Sequence, residues 1–208
     1  MSGIVAQNIL SGTGLVKAPE GGGAWTFISK LTADGSGTTL TFTSGLDSTY
    51  NEYLFTFNTI HVQTHGAKLQ FDMSADGGDN YGTTKTSTFF YGRHEFESCT
   101  GEAISYYSTE DLAQETGFQT VIDAFDATNA DESDTYCGSG FLHLYNLASD
   151  TYMKHFSSMT FNIRDNMHTE PNYIAGYGNT TSAINAIQFK ASSGNIDAGD
   201  ICLYGLTT

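Results

Sequence analysis

The sequence predicts an all-β protein, an antiparallel β-sandwich of jelly-roll type with an extended N-terminal arm. Apolar and polar residues alternate with a period of two, most regularly in residues 67–75, and turn residues separate such runs at short intervals. Helical periodicity is nearly absent, whereas Thr and aromatic residues, which favour strands, are abundant. We therefore divide the 208 residues into an arm, 1–23, and one sandwich domain, 24–208.

The first half of the domain is predicted to contain five strands. In the first, four side chains share one face: Trp25, Phe27, Ser29 and Leu31. The second is marked by Leu40 and Phe42. The third has the pattern of a strand buried on both sides, with Tyr53, Phe55 and Phe57 on one face and Leu54 and Ile60 on the other. The fourth and fifth strands span 67–75 and 86–91.

The middle of the chain allows two interpretations. Residues 108–115 fit the start of a short helix, with Ser108 or Thr109 as the N-cap and acidic residues in the first turn. Residues 118–122 fit either a helical stripe or a strand, and we favour a strand because the surrounding segments are β. An acidic loop is expected over 126–134.

Regular strands are predicted again in the last third of the chain. They span 140–146, 152–163, 185–190 and 196–206. The long second one is expected to carry a bulge near Ser157 and Ser158, because the apolar alternation weakens there. About ten short strands without intervening helices predict the antiparallel sandwich.

The charge balance excludes several classes of partner. The chain carries 23 acidic and 8 basic residues, a formal net charge of −15. Such a surface repels phosphate groups, so we expect no nucleic-acid partner and no anionic membrane. No stretch approaches the roughly 20 apolar residues that a membrane span requires. The first residues lack the pattern of a signal peptide, which predicts synthesis in the cytoplasm.

Cysteine and histidine do not form a convincing metal motif. The three cysteines are widely spaced and odd in number, which predicts free thiols: Cys99, Cys137 and Cys202. Two histidine pairs are candidate metal ligands: His61 with His65, and His143 with His155. Because isolated histidines in strands usually make ordinary hydrogen bonds, we interpret these four residues as hydrogen-bonding side chains and not as metal ligands.

Calcium is the better inorganic candidate, since it takes oxygen ligands from flexible loops. The loop 76–80 and the acidic loop offer four candidate ligands: Asp76, Asp79, Asp126 and Asp131. Neither loop follows the EF-hand order, and Asp-Gly-Gly is also a good turn between strands. We therefore expect no cofactor, with calcium as the alternative.

Signatures of catalysis are missing from the sequence. The Gly-rich turns lead into strands and carry Asp, unlike a phosphate-binding loop, and the stretch 137–140 lacks the helix that follows a nucleophile elbow. Acidic clusters near 95–102 and 110–115 are interpreted as solvated surface. Three tyrosines on predicted loops are candidates for a sugar-binding platform: Tyr81, Tyr106 and Tyr107. We expect the protein not to be an enzyme.

The N-terminal arm is rich in apolar residues between Gly-rich and Pro-containing stretches. Six of them are candidate anchors: Ile4, Val5, Ile9, Leu10, Leu15 and Val16. A disordered leader is the alternative interpretation. We favour docking on a partner or a neighbouring subunit, because so many hydrophobic residues are unusual in a free tail.

Three stretches carry a resemblance to a known group of proteins. They are the leader 1–8, the strand and turn 69–78, and the end of the chain, 186–206. Together they resemble small virion proteins of tailed bacteriophages, particularly marine and cyanobacterial ones. The resemblance implies a jelly-roll subunit attached to a capsid, tail or fibre, with no reaction. It carries over no functional residue, because these motifs are strand and turn patterns.

These observations lead to two functional expectations. The first is a virion structural protein that decorates or cements a capsid, docks on other virion proteins through its arm, and forms a homotrimer. The second is a tail or fibre protein that binds glycans of the host surface. In both cases the expected location is the virion.

Overall fold

The computed structural model describes residues 25–95, 102–127, 136–164 and 168–206, and within these ranges it contains strands and no helix. The predicted arm lies outside the described residues. Thirteen strands follow one another along the chain: β1 Thr26–Thr32, β2 Thr39–Phe42, β3 Glu52–Val62, β4 Leu69–Ser74, β5 Lys85–Glu95, β6 Ala103–Tyr106, β7 Ala113–Glu115, β8 Gln119–Ile122, β9 Gly138–Tyr145, β10 Lys154–Ile163, β11 His168–Gly178, β12 Ala186–Ala191 and β13 Ile196–Leu206.

The strands form two antiparallel sheets packed as a sandwich, which confirms the all-β prediction. The larger sheet has the order β1-β13-β3-β9-β10-β11-β5-β6, and the short β7 also pairs with β5. The smaller sheet has the order β2-β12-β4-β8, so β8 forms one of its edges. The inner face of the larger sheet is turned toward the smaller sheet, and the outer face is the opposite one.

Aromatic side chains fill the space between the sheets. Phe189 of β12 lies at their centre, with its ring centroid 5.2 Å from that of Phe55 and 5.5 Å from that of Phe57. Phe71 of β4 contacts Phe156 of β10 at 5.2 Å. Such edge-to-face pairs add about 0.5–1.5 kcal/mol each to the gain from burial. The prediction that Tyr53, Phe55 and Phe57 share one face of β3 is confirmed, and that face lies in the core.

A bulge in β3 corrects the prediction that this strand is buried on both sides. The pairing register with β9 shifts between Phe57 and Ile60, where Thr59 adopts a φ of 50°. The extra residue turns Ile60 inward, so it joins the core instead of facing away from it. Leu54 remains on the outer face and is only partly buried. One face of β3 is therefore in the core.

A second bulge corrects the expected face of β1. The register with β13 shifts between Phe27 and Ser29. Phe27 consequently lies on the outer face and is 56% exposed, whereas Leu31 packs against the core. Trp25 is also exposed. The four residues predicted to share one face are thus divided between the two faces.

The bulge predicted near Ser157 and Ser158 is wrong. β10 pairs with β9 and with β11 in unbroken register across this point. The alternation weakens there for a different reason, because β10 turns polar side chains inward. Ser158 is buried and donates a hydrogen bond to the carbonyl of Phe141 at 2.7 Å.

The middle of the chain contains more strands than expected. The helix considered for 108–115 is absent, and the strand β7 lies at its end. The strand favoured for 118–122 is confirmed as β8. Strands β6 and β11 were not predicted, and β11 pairs along its length with both β10 and β5.

Candidate functional site

The inner face of β10 and β11 carries mostly buried polar side chains, with Phe156 and Ile174 as its apolar members. Thr160 donates to the carbonyl of Val121 at 2.5 Å, and Asn162 donates to the carbonyl of Asp123 at 2.8 Å. These carbonyls belong to β8 and to the residues after it. Because β8 is a sheet edge, its main chain needs partners from outside its own sheet. The polar side chains of β10 supply them.

A buried network of five charged residues lies beside these contacts. It contains three carboxylates and two cations: Asp123, Glu110, Glu170, Lys68 and Arg164. Arg164 lies 3.3 Å from Asp123 and 3.4 Å from Glu170, while Lys68 lies 3.4 Å from Asp123 and hydrogen-bonds Glu110. The two cations also lie 5.7 and 5.8 Å from the centre of the Tyr107 ring. Among these five residues carboxylates outnumber cations by one, and two carboxylates, Asp123 and Glu170, are fully buried, whereas Lys68 and Arg164 are partly exposed.

This imbalance shifts the titration of Glu170. Its side chain is fully buried, and burial raises its pKa to about 7, although Arg164 partly opposes the shift. The charge of Asp123 raises the pKa further. Burial disfavours the cation at Arg164, but the charges of Asp123 and Glu170 raise the pKa of that guanidinium overall. Glu170 is thus the group in this network that takes up a proton near neutral pH.

A second buried ion pair joins the two sheets. Lys85 of β5 hydrogen-bonds Asp72 of β4, and both side chains are fully buried. Burial lowers the pKa of Lys85 and raises the pKa of Asp72, since each charged form loses its hydration. Lys85 also donates to the carbonyl of Thr83 at 2.8 Å. Both charged groups are therefore enclosed between the sheets.

The outer face of β9, β10, β11, β5 and β6 has the opposite character, and we call it the neutral face. The pairing registers place one cross-strand row along it: Phe141, Met159, Tyr173, Phe90 and Tyr106. Within these strands, the side chains on this face include no Asp, Glu, Lys or Arg. Two carboxylates border the face, Asp111 at the Tyr106 hydroxyl and Glu102 near Ile104. In a chain of net charge −15, five neighbouring strands that present no carboxylate on one face are still unusual.

Several large side chains of the neutral face are open to solvent. The rings of Phe90 and Tyr173 are stacked, with centroids 5.0 Å apart and planes 11° apart. Phe161 is 44% exposed and Ile104 is 86% exposed. Most of the exposed large hydrophobic residues in the described chain lie on this outer face of the larger sheet. Singly exposed apolar residues are ordinary, but a contiguous group marks an interaction surface.

A groove of about 580 Å³ lies between the outer sides of β3 and β9, and it shares Phe141 and His143 with the neutral face. Its floor is apolar, with the partly exposed Trp25 on one side, and Asn58, Thr56 and Ser139 supply polar groups. The Trp25 ring meets the His143 ring edge-on, with centroids 5.3 Å apart. An exposed indole beside hydrogen-bonding side chains is the type of surface that stacks on a sugar ring.

His143 is held by partners on its own sheet. Its Nε2 atom lies 2.8 Å from a carboxylate oxygen of Glu52, and its Nδ1 atom lies 3.0 Å from the hydroxyl of Tyr145. That hydroxyl lies 3.4 Å from Ser157. These contacts fix the imidazole as one wall of the groove.

The predicted calcium ligands are distributed over separate loops. Asp76 accepts hydrogen bonds from the Ser74 hydroxyl at 2.6 Å and from the main chain and side chain of Asn80 at 3.0 and 2.7 Å. These bonds lower the pKa of Asp76 to about 2. Asp79 is exposed on the same loop, Asp126 is buried 3.3 Å from His65, and Asp131 lies outside the described residues. The described part of the chain contains no group of three or more His, Cys, Asp or Glu side chains placed to hold a metal ion.

The other candidate residues also separate in space. His61 lies 2.6 Å from Asp197, and the ring of His155 lies 6.1 Å from that of Tyr177. Of the three candidate tyrosines, Tyr106 is exposed on the neutral face, whereas Tyr107 packs against the core and Tyr81 lies near Phe118. The six anchors of the arm and Cys99 lie outside the described residues, and Cys137 and Cys202 are free thiols.

Sequence reasoning missed both the charged network and the neutral face. The network joins residues from distant segments, so no local motif marks it. The neutral face did have a signal, because Phe141, Met159 and Phe161 alternate with polar residues in the two strands that contain them. That alternation does not reveal which set points inward.

Comparisons with protein-family models, with curated proteins and with solved structures find no match for this chain. Across the described ranges, no helix is long and apolar enough to cross a membrane.

Proposed function

We propose that this chain is a non-enzymatic structural protein of a tailed bacteriophage particle, where it decorates or cements the capsid. The observation that supports a role in association is the neutral face, a wide aromatic surface on an otherwise acidic molecule. The location in the virion rests on the resemblance of the leader, the 69–78 strand and the end of the chain to small virion proteins.

The distribution of the carboxylates supports the absence of catalysis. A carboxylate with a raised pKa is a common general acid, and Glu170 has such a pKa. Its side chain, however, is fully buried between the sheets and lies beside Arg164, as does the side chain of Asp123. A substrate does not reach either carboxylate in this arrangement. We therefore interpret the network as structural.

We also assign the sandwich to the jelly-roll type. The chain passes repeatedly between the two sheets, and its first strands pair with its last ones: β1 with β13 and β2 with β12. Adjacent first and last strands are a feature of folded-over β-ribbons such as the jelly roll. An experimental structure that includes the chain segments outside the described ranges tests this assignment.

The N-terminal segment is the proposed attachment to the particle. Its six apolar residues would dock on the major capsid protein or on tail proteins, while the acidic surface of the domain stays in solvent. Particles assembled with the whole chain should contain it, whereas deletion of residues 1–19 should abolish incorporation and leave the domain folded. Normal incorporation of the truncated chain would contradict the role of the arm.

Imaging of intact particles labelled on this chain tests the virion location itself. Label at regular positions on the capsid would support the decoration role, and label on the tail would move the protein to the tail or a fibre. Absence of label from purified particles, although the chain is present in infected cells, would contradict the proposal.

The groove beside Trp25 favours a second candidate function, a tail or fibre protein that binds host glycans. In this case Trp25 stacks on a sugar ring and Asn58 donates to a hydroxyl group. A glycan array should then show specific binding that is lost in Trp25→Ala and retained in Phe27→Ala, an exposed aromatic residue outside the groove. Equal binding of the two variants would remove this candidate. Repeating the array with a chelator tests whether calcium contributes.

A further inference from the structure

We propose that the neutral face is a self-association surface, on which the outer face of β9, β10, β11, β5 and β6 packs against a second copy of this chain. The proposal concerns the sandwich and does not depend on the virion role. It rests on three features of the described residues: the orientation of polar and apolar side chains in β10 and β11, the distribution of charge, and the size of the face.

The first feature is an inversion of side-chain polarity. In β10 and β11 most of the buried inner side chains are polar or charged, including Thr160, Asn162 and Glu170, and only Phe156 and Ile174 among them are apolar. The outer side chains of the same strands include Met159, Phe161 and Tyr173. A half-buried strand in a monomer normally turns its apolar set toward the core. Strands with polar groups inside and aromatic groups outside are expected where the outside is also covered.

The second feature identifies a copy of the same chain as the occupant. Every copy carries a net charge of −15, so two copies can approach closely only through surfaces without carboxylates. The neutral face meets this requirement, because its strands present no Asp, Glu, Lys or Arg there. A basic partner would instead be attracted to the acidic parts of the surface.

The third feature is size and composition. Five strands about 4.8 Å apart, each contributing about seven residues of about 3.4 Å, give a face of roughly 24 by 24 Å. That projected area of nearly 600 Å² is comparable with the roughly 800 Å² of accessible surface that each partner buries in a stable interface. Interface centres are rich in Tyr, Phe and Met and poor in charged residues, as this face is.

The test is sedimentation velocity of the full-length chain from low-micromolar to near-millimolar concentration. The expected result is a reversible transition from the 22.4 kDa monomer to a discrete species of two or three copies. A monomer at every concentration would overturn the proposal, including the case in which residues 1–24 cover the face. Unlimited aggregation without a discrete species would overturn it as well.

Two variants place a carboxylate on the face, and a third provides the matched control. Phe161→Asp replaces an exposed aromatic residue, and Ala175→Asp adds a charge at an exposed small residue of β11. Tyr152→Asp makes the same change in net charge at a 67% exposed aromatic residue in the loop between β9 and β10. Both face variants should raise the dissociation constant at least about tenfold, and the control should change it less than about twofold.

Folding of each variant is checked by circular dichroism and by its urea midpoint. If Phe161→Asp does not fold, Ala175→Asp decides the question, because it removes no buried contact. Equal dissociation constants for a folded face variant and for Tyr152→Asp would overturn the assignment of the surface. Self-association that depends on this face, in a protein absent from virions, would support this inference while contradicting the proposed function.

Discussion

The strands β3 and β10 lie close together in the larger sheet, separated only by β9, but they use the same alternation in opposite ways. β3 turns Tyr53, Phe55 and Phe57 inward and leaves Thr56 and Asn58 outside. β10 turns Phe156 inward together with four polar side chains and leaves its second phenylalanine, Phe161, outside. Both strands have a period of two, so periodicity alone does not identify the inner face.

The packing partner explains the difference. The inner face of β3 meets Phe189 and the aromatic core of the smaller sheet. The inner face of β10 meets Phe71 through Phe156 at one end. At the other end it meets β8 and the residues after it, where the carbonyls of Val121 and Asp123 accept hydrogen bonds from Thr160 and Asn162. An apolar side chain in those positions would leave carbonyl groups buried without partners, at a cost of about 1–3 kcal/mol each. The polar side chains at this end of β10 therefore face inward because the buried carbonyl groups of β8 and of the residues after it need hydrogen-bond donors.

The largest effect on stability is expected in the aromatic core around Phe189. Phe189→Ala removes a fully buried ring that contacts several other rings, and we expect a loss of about 3–5 kcal/mol in the free energy of unfolding. Urea denaturation followed by circular dichroism measures it. A loss below about 1 kcal/mol would show that the two sheets do not pack around this residue.

The next largest effect on stability is expected at the buried ion pair of Lys85 and Asp72. Lys85→Met leaves Asp72 buried without its cation, which should reduce the free energy of unfolding by about 3 kcal/mol. The double variant Lys85→Met with Asp72→Leu removes both charges and should recover most of that loss. The same urea experiment applies. A double variant no more stable than the single one would indicate that the pair is not buried.

The third prediction concerns how the free energy of unfolding depends on pH. Burial raises the pKa of Glu170 to about 7, above its value in the unfolded chain, so the folded state binds the proton more tightly. This contribution to stability is fully present below about pH 4.5 and is lost as the pH rises through about 7, by an amount on the order of 3 kcal/mol.

Glu170→Gln should abolish that decline between pH 5 and pH 8. The difference in unfolding free energy between the variant and the original chain isolates Glu170, because all other ionisable groups are common to both chains. A difference that stays constant across this range would show that Glu170 titrates normally.

The smallest effect is expected on the neutral face. Phe161→Thr keeps a residue that favours strands and removes an exposed ring, so the stability of the monomer should change by less than about 1 kcal/mol. The measurement is made at the lowest practical concentration, where the chain is monomeric. A loss as large as that of Phe189→Ala would place Phe161 in the core and remove the contrast between the two strands.

The parts of the fold that depend on local pattern could be predicted from the sequence. The inward aromatic residues of β3 and the strand that follows at 69–74 are examples, because a period of two describes them directly. The bulge at Thr59 could not be predicted, since Thr gives no signal for a positive φ. One extra residue there was enough to reverse the face of Ile60.

Strand β11 shows why pairing context is needed. It contains Pro171, which lacks an N–H group and argues against a central strand. The pairing of β11 with β5 has no partner at Glu170 and Pro171, and the residue that faces the proline ring is Gly92, where an added Cβ would come within 3.2 Å of that ring. At Gly140 an added Cβ would lie 2.4 Å from the carbonyl oxygen of Met159, and φ is 148°. These requirements exist only once the strands are paired.

The charged network and the neutral face were even harder to predict from the sequence. The charged network requires Lys68, Asp123 and Arg164 to converge, and the neutral face requires the inner and outer sides of β10 to be known. The predicted loop sites, by contrast, rested on residue type alone, and the structure holds Asp76 in its own turn.

The most direct test of the inverted polarity is hydroxyl-radical footprinting of side chains at low and high protein concentration. Met159, Phe161 and Tyr173 should be oxidised readily in the dilute monomer and protected on concentration, while Tyr152 should react equally in both samples. Equal oxidation of all four side chains at both concentrations would contradict an association surface on the outer side of β10 and β11. Protection of Met159, Phe161 and Tyr173 even in the dilute monomer would contradict their outward orientation.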